Sequence, residues 1–182
     1  MGGSKGRRVI FLDRDGVINV DNGFVYKWEN WQWAAGAIEG LLKLKDMPFA
    51  LVVVTNQSGV GHGLYKEEDV ISLHKKMEEE LREKGVKFEA ILYCPHRRDA
   101  GCGCRKPETG MAKEAEKVVG PVDYRGSLVV GDKIADMEFG KKLGMKTVLI
   151  KSKYWSRDEL REKPDKIAGS LLEAADFIRE NY

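Results

Sequence analysis

The chain has 182 residues and a mass of 20.5 kDa, which suits one domain with a core of its own. Hydrophobic residues make up 42% and charged residues 33%, a balance that excludes a disordered tail and a membrane-spanning protein. The 31 basic and 29 acidic residues leave a net charge of +2, which argues against nucleic acid or a membrane surface as a partner. The basic N-terminal residues are followed by no apolar stretch of signal-peptide length, so we expect a cytoplasmic protein.

Strand-like and helix-like patterns alternate along the chain after a flexible leader, which is predicted to cover residues 1–8. Strands are predicted at 9–12, 49–54, 88–93, 127–130 and 146–150. Helices are predicted at 37–47, 66–84, 107–119 and 136–143, and a last helix has an apolar stripe formed by Ile167, Leu171, Ala174 and Ile178. This alternation predicts one domain over residues 9–182, with a three-layer α/β/α fold around a Rossmann-like parallel sheet. No insertion has domain size and no helix suggests oligomerisation, so we expect a minimal cap over the site and a monomer.

Polar side chains follow three of the predicted strands, where ligands bind in folds of this kind. The first strand ends in Asp13-Arg-Asp15, the second in Thr55, and a later one in Asp132. Each pattern alone also fits a polar turn or a helix cap. Together with Lys106 before a predicted helix, they provide hard oxygen ligands for Mg²⁺ and cationic and hydroxyl groups for a phosphate.

A second group of ligand-type side chains lies between two predicted elements. Cys94, His96, Cys102 and Cys104 comprise every cysteine of the chain and one histidine. Three thiolates and one imidazole make a complete tetrahedral set for Zn²⁺, and four protein ligands indicate a structural site. The alternative of reduced core cysteines fits poorly with the glycine-rich, polar surroundings. A zinc-knuckle module that binds nucleic acid would use the same motif, but the balanced charge disfavours it.

The four strand-end and helix-start motifs, in this order, resemble the haloacid dehalogenase superfamily of aspartyl phosphatases. The resemblance and the chemistry together predict that Asp13 is the nucleophile and forms an aspartyl-phosphate. Asp15 would protonate the leaving group and then take a proton from the attacking water.

The same resemblance predicts how the metal and the phosphate are held. Mg²⁺ would be bound by Asp13, the backbone carbonyl of Asp15, and Asp132, and Asp136 would orient this set without binding. Thr55 and Lys106 would hold the phosphoryl oxygens as charge builds during transfer.

The cysteine motif directly precedes Arg105-Lys106-Pro107, and this arrangement is similar to the family of D-glycero-D-manno-heptose 1,7-bisphosphate phosphatases. The resemblance implies removal of the C7 phosphate from a phosphorylated sugar. Histidinol-phosphate phosphatases share the loop and stay an alternative. One departure is His62, where heptose enzymes commonly have arginine. Substrate contacts are predicted for Asn19, Asp21, Asn22, Gly23, Phe24, Asn56, Gln57, Ser58, Arg105 and Lys133.

Overall fold

Six parallel strands form one sheet, in the order β3–β2–β1–β4–β5–β6. The computed structural model describes residues 6–160 and 163–182. The strands are β1 (Val9–Leu12), β2 (Ala50–Asn56), β3 (Ala90–Cys94), β4 (Leu128–Gly131), β5 (Lys146–Ile150) and β6 (Lys166–Ala168). The helices are α1 (Ala37–Leu44), α2 (Glu67–Glu83), α3 (Gly110–Val119), α4 (Ile134–Lys142) and α5 (Leu171–Asn181).

Helices cover both faces of the sheet, and this explains why the central strands are apolar on both sides. Along β1, Ile10 and Leu12 face a core shared with α1, α2 and α5, whereas Val9 and Phe11 face a core shared with α3 and α4. All four side chains are fully buried. The predicted three-layer α/β/α fold is therefore confirmed.

The chain reverses its winding direction at the centre of the sheet, and this reversal positions the site. β1 is paired with β2 on one side and with β4 on the other, with Leu12 opposite both Val53 and Val130. Adjacent crossovers in opposite directions leave a crevice at the carboxyl ends of these strands. Residues that follow β1, β2 and β4 must therefore meet.

The last predicted helix begins too early in the sequence prediction. Ile167 lies in β6 and pairs with Leu149 of β5, and α5 begins at Leu171. The Ser170 hydroxyl accepts a hydrogen bond from the Glu173 amide and caps the helix there. The four-residue spacing from Ile167 to Leu171 imitates a helical stripe, although the two residues belong to different elements.

The predicted leader falls partly outside the described residues, which begin at Gly6. The Arg7 amide donates to the Pro121 carbonyl at 2.7 Å, and the Arg7 carbonyl accepts from the Asp123 amide at 3.0 Å. The described end of the predicted leader is thus hydrogen-bonded to the segment between α3 and β4. Within residues 6–160 and 163–182, no helix has the length and apolar character needed to cross a membrane.

Candidate active site

Three carboxylates meet where β1 and β4 end. Oxygens of Asp13, Asp132 and Asp136 all lie within 4.8 Å of one another, and the three side chains are buried. Burial, and then the negative charge of Asp136, raise the pKa of Asp13 to about 6. Burial, and then the charge of Asp13, raise the pKa of Asp132 to about 7.

This cluster has the properties of a cation site. Oδ2 of Asp132 is buried and accepts no hydrogen bond from any residue that the structure describes. Gly16 has a φ of +86°, and a Cβ atom there would lie 2.2 Å from that oxygen. The glycine therefore leaves the space beside this oxygen free of a side chain. A hard divalent cation fits the oxygen donors and would offset the repulsion among them.

Lys106 supplies a buried positive charge beside the carboxylates. Its Nζ lies 3.0 Å from Asp13 Oδ1 and 2.5 Å from Asp136 Oδ1, and it donates to the Val54 carbonyl at 2.6 Å. Burial alone would lower the pKa of Lys106, but the charges of Asp13 and Asp136 outweigh it and raise this pKa. The Asn56 amide exchanges two hydrogen bonds with the Lys106 backbone, at 3.0 and 3.2 Å, and fixes the lysine to the end of β2.

Asp15 is held by three donors at the edge of the cleft. Arg14 and the Asn19 amide donate to its Oδ1 at 2.9 and 3.0 Å, and the Gln57 amide donates to its Oδ2 at 2.8 Å. Burial alone would raise the pKa of Asp15, but the Arg14 charge and these hydrogen bonds keep this pKa below its usual value. The Gln57 amide also donates to Thr55 Oγ1 at 2.8 Å. The Thr55 hydroxyl proton is therefore free to point elsewhere.

These groups surround a cleft of about 220 Å³. Lys133 lies on one side of it, with its Nζ 3.0 Å from Asp21 and 2.9 Å from Asp132. The predicted residues that line the cleft are Asp13, Asp15, Asp21, Gly23, Phe24, Thr55, Asn56, Gln57, Ser58, Arg105, Lys106, Lys133 and Asp136. The structure thus brings together most of the side chains for which the sequence predicted catalytic or substrate roles.

Two predicted substrate contacts lie elsewhere among the described residues. Asn19 is fully buried and donates to Asp15 and to the Val20 carbonyl, so it supports the site from behind. Asn22 is exposed and lines a separate surface pocket with Glu29 and Gln32. The family resemblance predicts both residues beside the sugar, but Asn19 is buried and hydrogen-bonded to Asp15, and Asn22 does not line the cleft.

Sequence reasoning also missed several residues of the site. Val25, Tyr65 and Ala135 line the cleft, and the Tyr65 hydroxyl donates to the side-chain Oε1 of Gln57 at 3.0 Å. Arg14, to which the sequence analysis assigns no role, donates to Asp15 Oδ1 at 2.9 Å. The one available signal was its charge, because a cation next to a buried strand needs a partner.

The four predicted zinc ligands also converge. Cys94 Sγ lies 3.1 Å from Cys104 Sγ, 3.5 Å from Cys102 Sγ and 3.6 Å from His96 Nδ1. These separations are near the spacing of about 3.7 Å that follows from tetrahedral coordination with metal–sulfur bonds of about 2.3 Å. All three cysteines are free thiols, as a metal site requires. Burial alone would raise the pKa of Cys102, but hydrogen bonds from the Arg105 amide and the neighbouring thiols lower it to about 6.

Comparison with known proteins gives this geometry a family. A family model described as HAD-hydrolase-like matches residues 103–174. The D-glycero-beta-D-manno-heptose-1,7-bisphosphate 7-phosphatase of Photorhabdus laumondii is 37% identical over 185 residues, which span 97% of this chain and 97% of that protein. The enzyme of the same name from Yersinia pestis is 38% identical over 182 residues, 95% of this chain and 96% of that protein.

The chain belongs to this heptose bisphosphate phosphatase family.

The solved structures agree with this membership. The D,D-heptose 1,7-bisphosphate phosphatase from B. bronchiseptica, complexed with magnesium and phosphate, superposes with a TM-score of 0.85. It is 30% identical in sequence, and the match covers 96% of this chain and 99% of that one. The resemblance to haloacid dehalogenase phosphatases, and within them to the heptose bisphosphate phosphatase family, is thereby confirmed.

Proposed function

We propose that the chain is a Mg²⁺-dependent phosphomonoesterase that removes the C7 phosphate of D-glycero-D-manno-heptose 1,7-bisphosphate through an aspartyl-phosphate. The observation that carries this proposal is the position of Asp13 in the cleft. Its carboxylate lies beside the Lys106 ammonium and two further carboxylates, with Asp15 nearby. Such a group can attack phosphorus only if cations offset the repulsion between carboxylate and phosphate.

The reaction proceeds in two displacements. The Asp13 carboxylate forms a bond to phosphorus while the bond from phosphorus to the sugar oxygen breaks, and Asp15 protonates the departing oxygen. Water then attacks the aspartyl-phosphate, Asp15 accepts its proton, and phosphate and free Asp13 result. Lys106 and the free hydroxyl proton of Thr55 hold the phosphoryl oxygens in both steps.

Asp13, Asp132 and the Asp15 carbonyl would hold the Mg²⁺, which when bound neutralises charge between carboxylate and phosphate. Asp136 supports this set. Its Oδ2 accepts from the Lys133 amide at 3.0 Å while its Oδ1 contacts Lys106. One oxygen of Asp136 thus accepts from the Lys133 backbone amide and the other contacts the Lys106 ammonium. Because both oxygens already have partners, Asp136 suits a role in orienting the other ligands.

Two cations at the cleft suit a substrate with a second phosphate. The guanidinium of Arg105 and the ammonium of Lys133 both line the cleft. A planar guanidinium can hold a phosphate with two hydrogen bonds, and Lys133 adds charge. The Lys133 side chain is 35% exposed although its partners Asp21 and Asp132 are more deeply buried, so its ammonium can also approach a ligand.

Histidinol phosphate fits this cleft less well. It has one phosphate and a cationic amine, and Asp21 is the carboxylate that would attract the amine. Asp21 is already paired with Lys133 at 3.0 Å, so its charge is offset before any ligand binds.

The cysteine cluster is proposed to hold one structural Zn²⁺ per chain. Its support is the four-ligand set and the position of Cys104, directly before Arg105 and Lys106. The Gly110 amide donates to the Gly103 carbonyl at 2.9 Å, so the loop is also attached to the first turn of α3. Zinc would fix the backbone that presents Arg105 and Lys106. The cytoplasmic location and the monomeric state stay predictions.

Comparing substrates by kcat/KM tests the proposed function. We expect the heptose bisphosphate to exceed histidinol phosphate by at least about tenfold, a difference of about 1.4 kcal/mol in transition-state stabilisation. Arg105→Ala should reduce this preference mainly through the bisphosphate. Arg98→Ala removes an exposed arginine of the same loop that lies outside the cleft, and should change neither substrate. A preference for histidinol phosphate would refute the substrate, and no Mg²⁺-dependent release from any phosphate monoester would refute the activity.

A further inference from the structure

Arg14, between the two catalytic aspartates, is a fully buried cation. Its Nη2 donates to Asp15 Oδ1 at 2.9 Å and to the Val25 carbonyl at 2.6 Å. Its Nη1 contacts Nε2 of His74 at 3.1 Å. Burying a cation is costly unless several partners hold it, so these three contacts define one orientation of the guanidinium.

His74 reaches Arg14 from a distant part of the chain, 60 residues away on α2. Guanidinium groups only donate, so Nε2 of His74 must accept and its proton must lie on Nδ1. Burial and then the Arg14 charge lower the pKa of His74 to about 3, which agrees with a neutral acceptor. His74 is buried on the face of α2 that carries Leu73 and Met77. An apolar side chain would fill this position with a smaller desolvation cost. The buried imidazole is therefore explained by its hydrogen bond with Arg14.

The guanidinium joins two parts of the cleft. One is Asp15, the proposed proton donor, and the other is Val25, which follows the segment that carries Asp21, Gly23 and Phe24. A change in the orientation of Arg14 would move both. A misplaced proton donor costs most where the leaving group needs the proton.

We propose that His74 is a positioning residue for proton transfer: it accepts a hydrogen bond from Arg14 and so fixes the Asp15 carboxylate against the leaving oxygen. This inference rests on the proposed function, because that function assigns the proton donor to Asp15. It predicts that a residue of α2 that does not line the cleft controls the selectivity of the enzyme for poor leaving groups.

The test compares two substrates in single-turnover measurements of the first step. One is an alkyl phosphate, the heptose bisphosphate, whose leaving alkoxide needs a proton. The other is p-nitrophenyl phosphate, whose leaving group does not. His74→Met keeps bulk without the ring acceptor, and should slow the alkyl substrate at least about tenfold while the aryl substrate changes less than about threefold. His74→Gln restores an acceptor and should bring the alkyl rate to within about threefold of wild type.

A matched control separates positioning from general damage. Leu73→Ala opens a cavity on the same face of α2 and removes no hydrogen bond from Arg14, and should lower both rates by a similar factor if at all. Equal losses on both substrates in His74→Met, or no loss on either, would overturn the inference. If His74→Met does not fold, Arg14→Lys decides by the same criterion, since a compact ammonium cannot span the partners that the two guanidinium nitrogens reach. A wild-type enzyme inactive on both substrates would instead refute the proposed function.

Discussion

Two side chains on the cleft floor, Asp13 and Lys106, determine each other's charge. Burial and Asp136 favour a protonated Asp13, whereas Lys106 at 3.0 Å favours the carboxylate. The resulting pKa of about 6 leaves Asp13 largely ionised at neutral pH, as a nucleophile must be. Asp15 receives three hydrogen bonds on its carboxylate, and these help to keep its pKa below the usual value, so Asp15 must gain a proton before it can act as the proposed acid.

Replacing Asp13, the proposed nucleophile, should abolish turnover and leave the fold intact. Asp13→Asn keeps the size of the side chain but removes the attacking charge, so we expect kcat to fall by a factor of about 10³ or more. Acid-quenched wild-type protein should carry covalent phosphate, and the variant should carry none. Far-UV circular dichroism and the thermal midpoint should stay near the wild-type values, because the charge that is lost is buried and costly.

The control for this variant is Asp46→Asn, which neutralises an exposed carboxylate just after α1. It should retain full activity. Near-normal turnover or covalent phosphate in Asp13→Asn would contradict the covalent mechanism.

Residues of the site were predictable where their position follows from a strand end. Asp13, Thr55 and Asp132 follow buried apolar runs, and parallel strands bring such ends together. Asn19 and His74 were not predictable in this way. Their roles depend on the direction in which a buried side chain points, and this direction is set by packing rather than by the local pattern.

At the scale of elements, the strongly apolar strands were predictable and the edge strand was not. β1, β2 and β4 are apolar runs that only a sheet covered on both faces would bury. β6 has only three residues at the edge of the sheet, too few to show the alternation of apolar and polar residues that marks a strand. Its residue Ile167 also continues the helical spacing of the apolar residues of α5 by chance. Short elements that depend on a neighbouring strand carry little signal of their own.

The loop between β3 and α3 has almost no regular structure, so its order should depend on the proposed zinc and its four ligands. Cys102→Ser removes one of the four ligands and should loosen the backbone that carries Arg105 and Lys106. We expect zinc content to fall from about one per chain and KM to rise several-fold, with the core still folded. Metal analysis and steady-state kinetics measure both quantities.

Gly103→Ala is the matched control in the same loop, because a Cβ atom there would contact nothing within 4 Å. It should keep both zinc and KM at wild-type values. Wild-type protein that contains no zinc and has reactive thiols would contradict the assignment of this cluster.

For the molecule as a whole, the buried carboxylates of the site lower the stability of the folded state at neutral pH. Three carboxylates are held within 4.8 Å of one another by the ends of β1 and β4 and by the first turn of α4. Asp13 and Asp132 have pKa values of about 6 and about 7, above their values in the unfolded chain, so the folded protein binds protons more tightly. Their contribution to stability is therefore largest below about pH 4 and declines as the pH rises to about 7.

Mg²⁺ should reverse this decline, because the metal binds the ionised carboxylates of the folded state. We expect Mg²⁺ to raise the thermal midpoint clearly at about pH 7.5 and little at about pH 5, where protons occupy the cluster. Thermal unfolding of Mg²⁺-free protein, with potassium chloride at matched ionic strength as the reference, measures the effect. No chelator is used, since it would also remove zinc bound by the cysteines.

Asp132→Asn tests the site of binding. This variant should stabilise the Mg²⁺-free protein at the higher pH and should lose most of the rise in thermal midpoint that Mg²⁺ causes in the wild type. An equal increment at both pH values, or a full increment in Asp132→Asn, would show that the cation binds elsewhere.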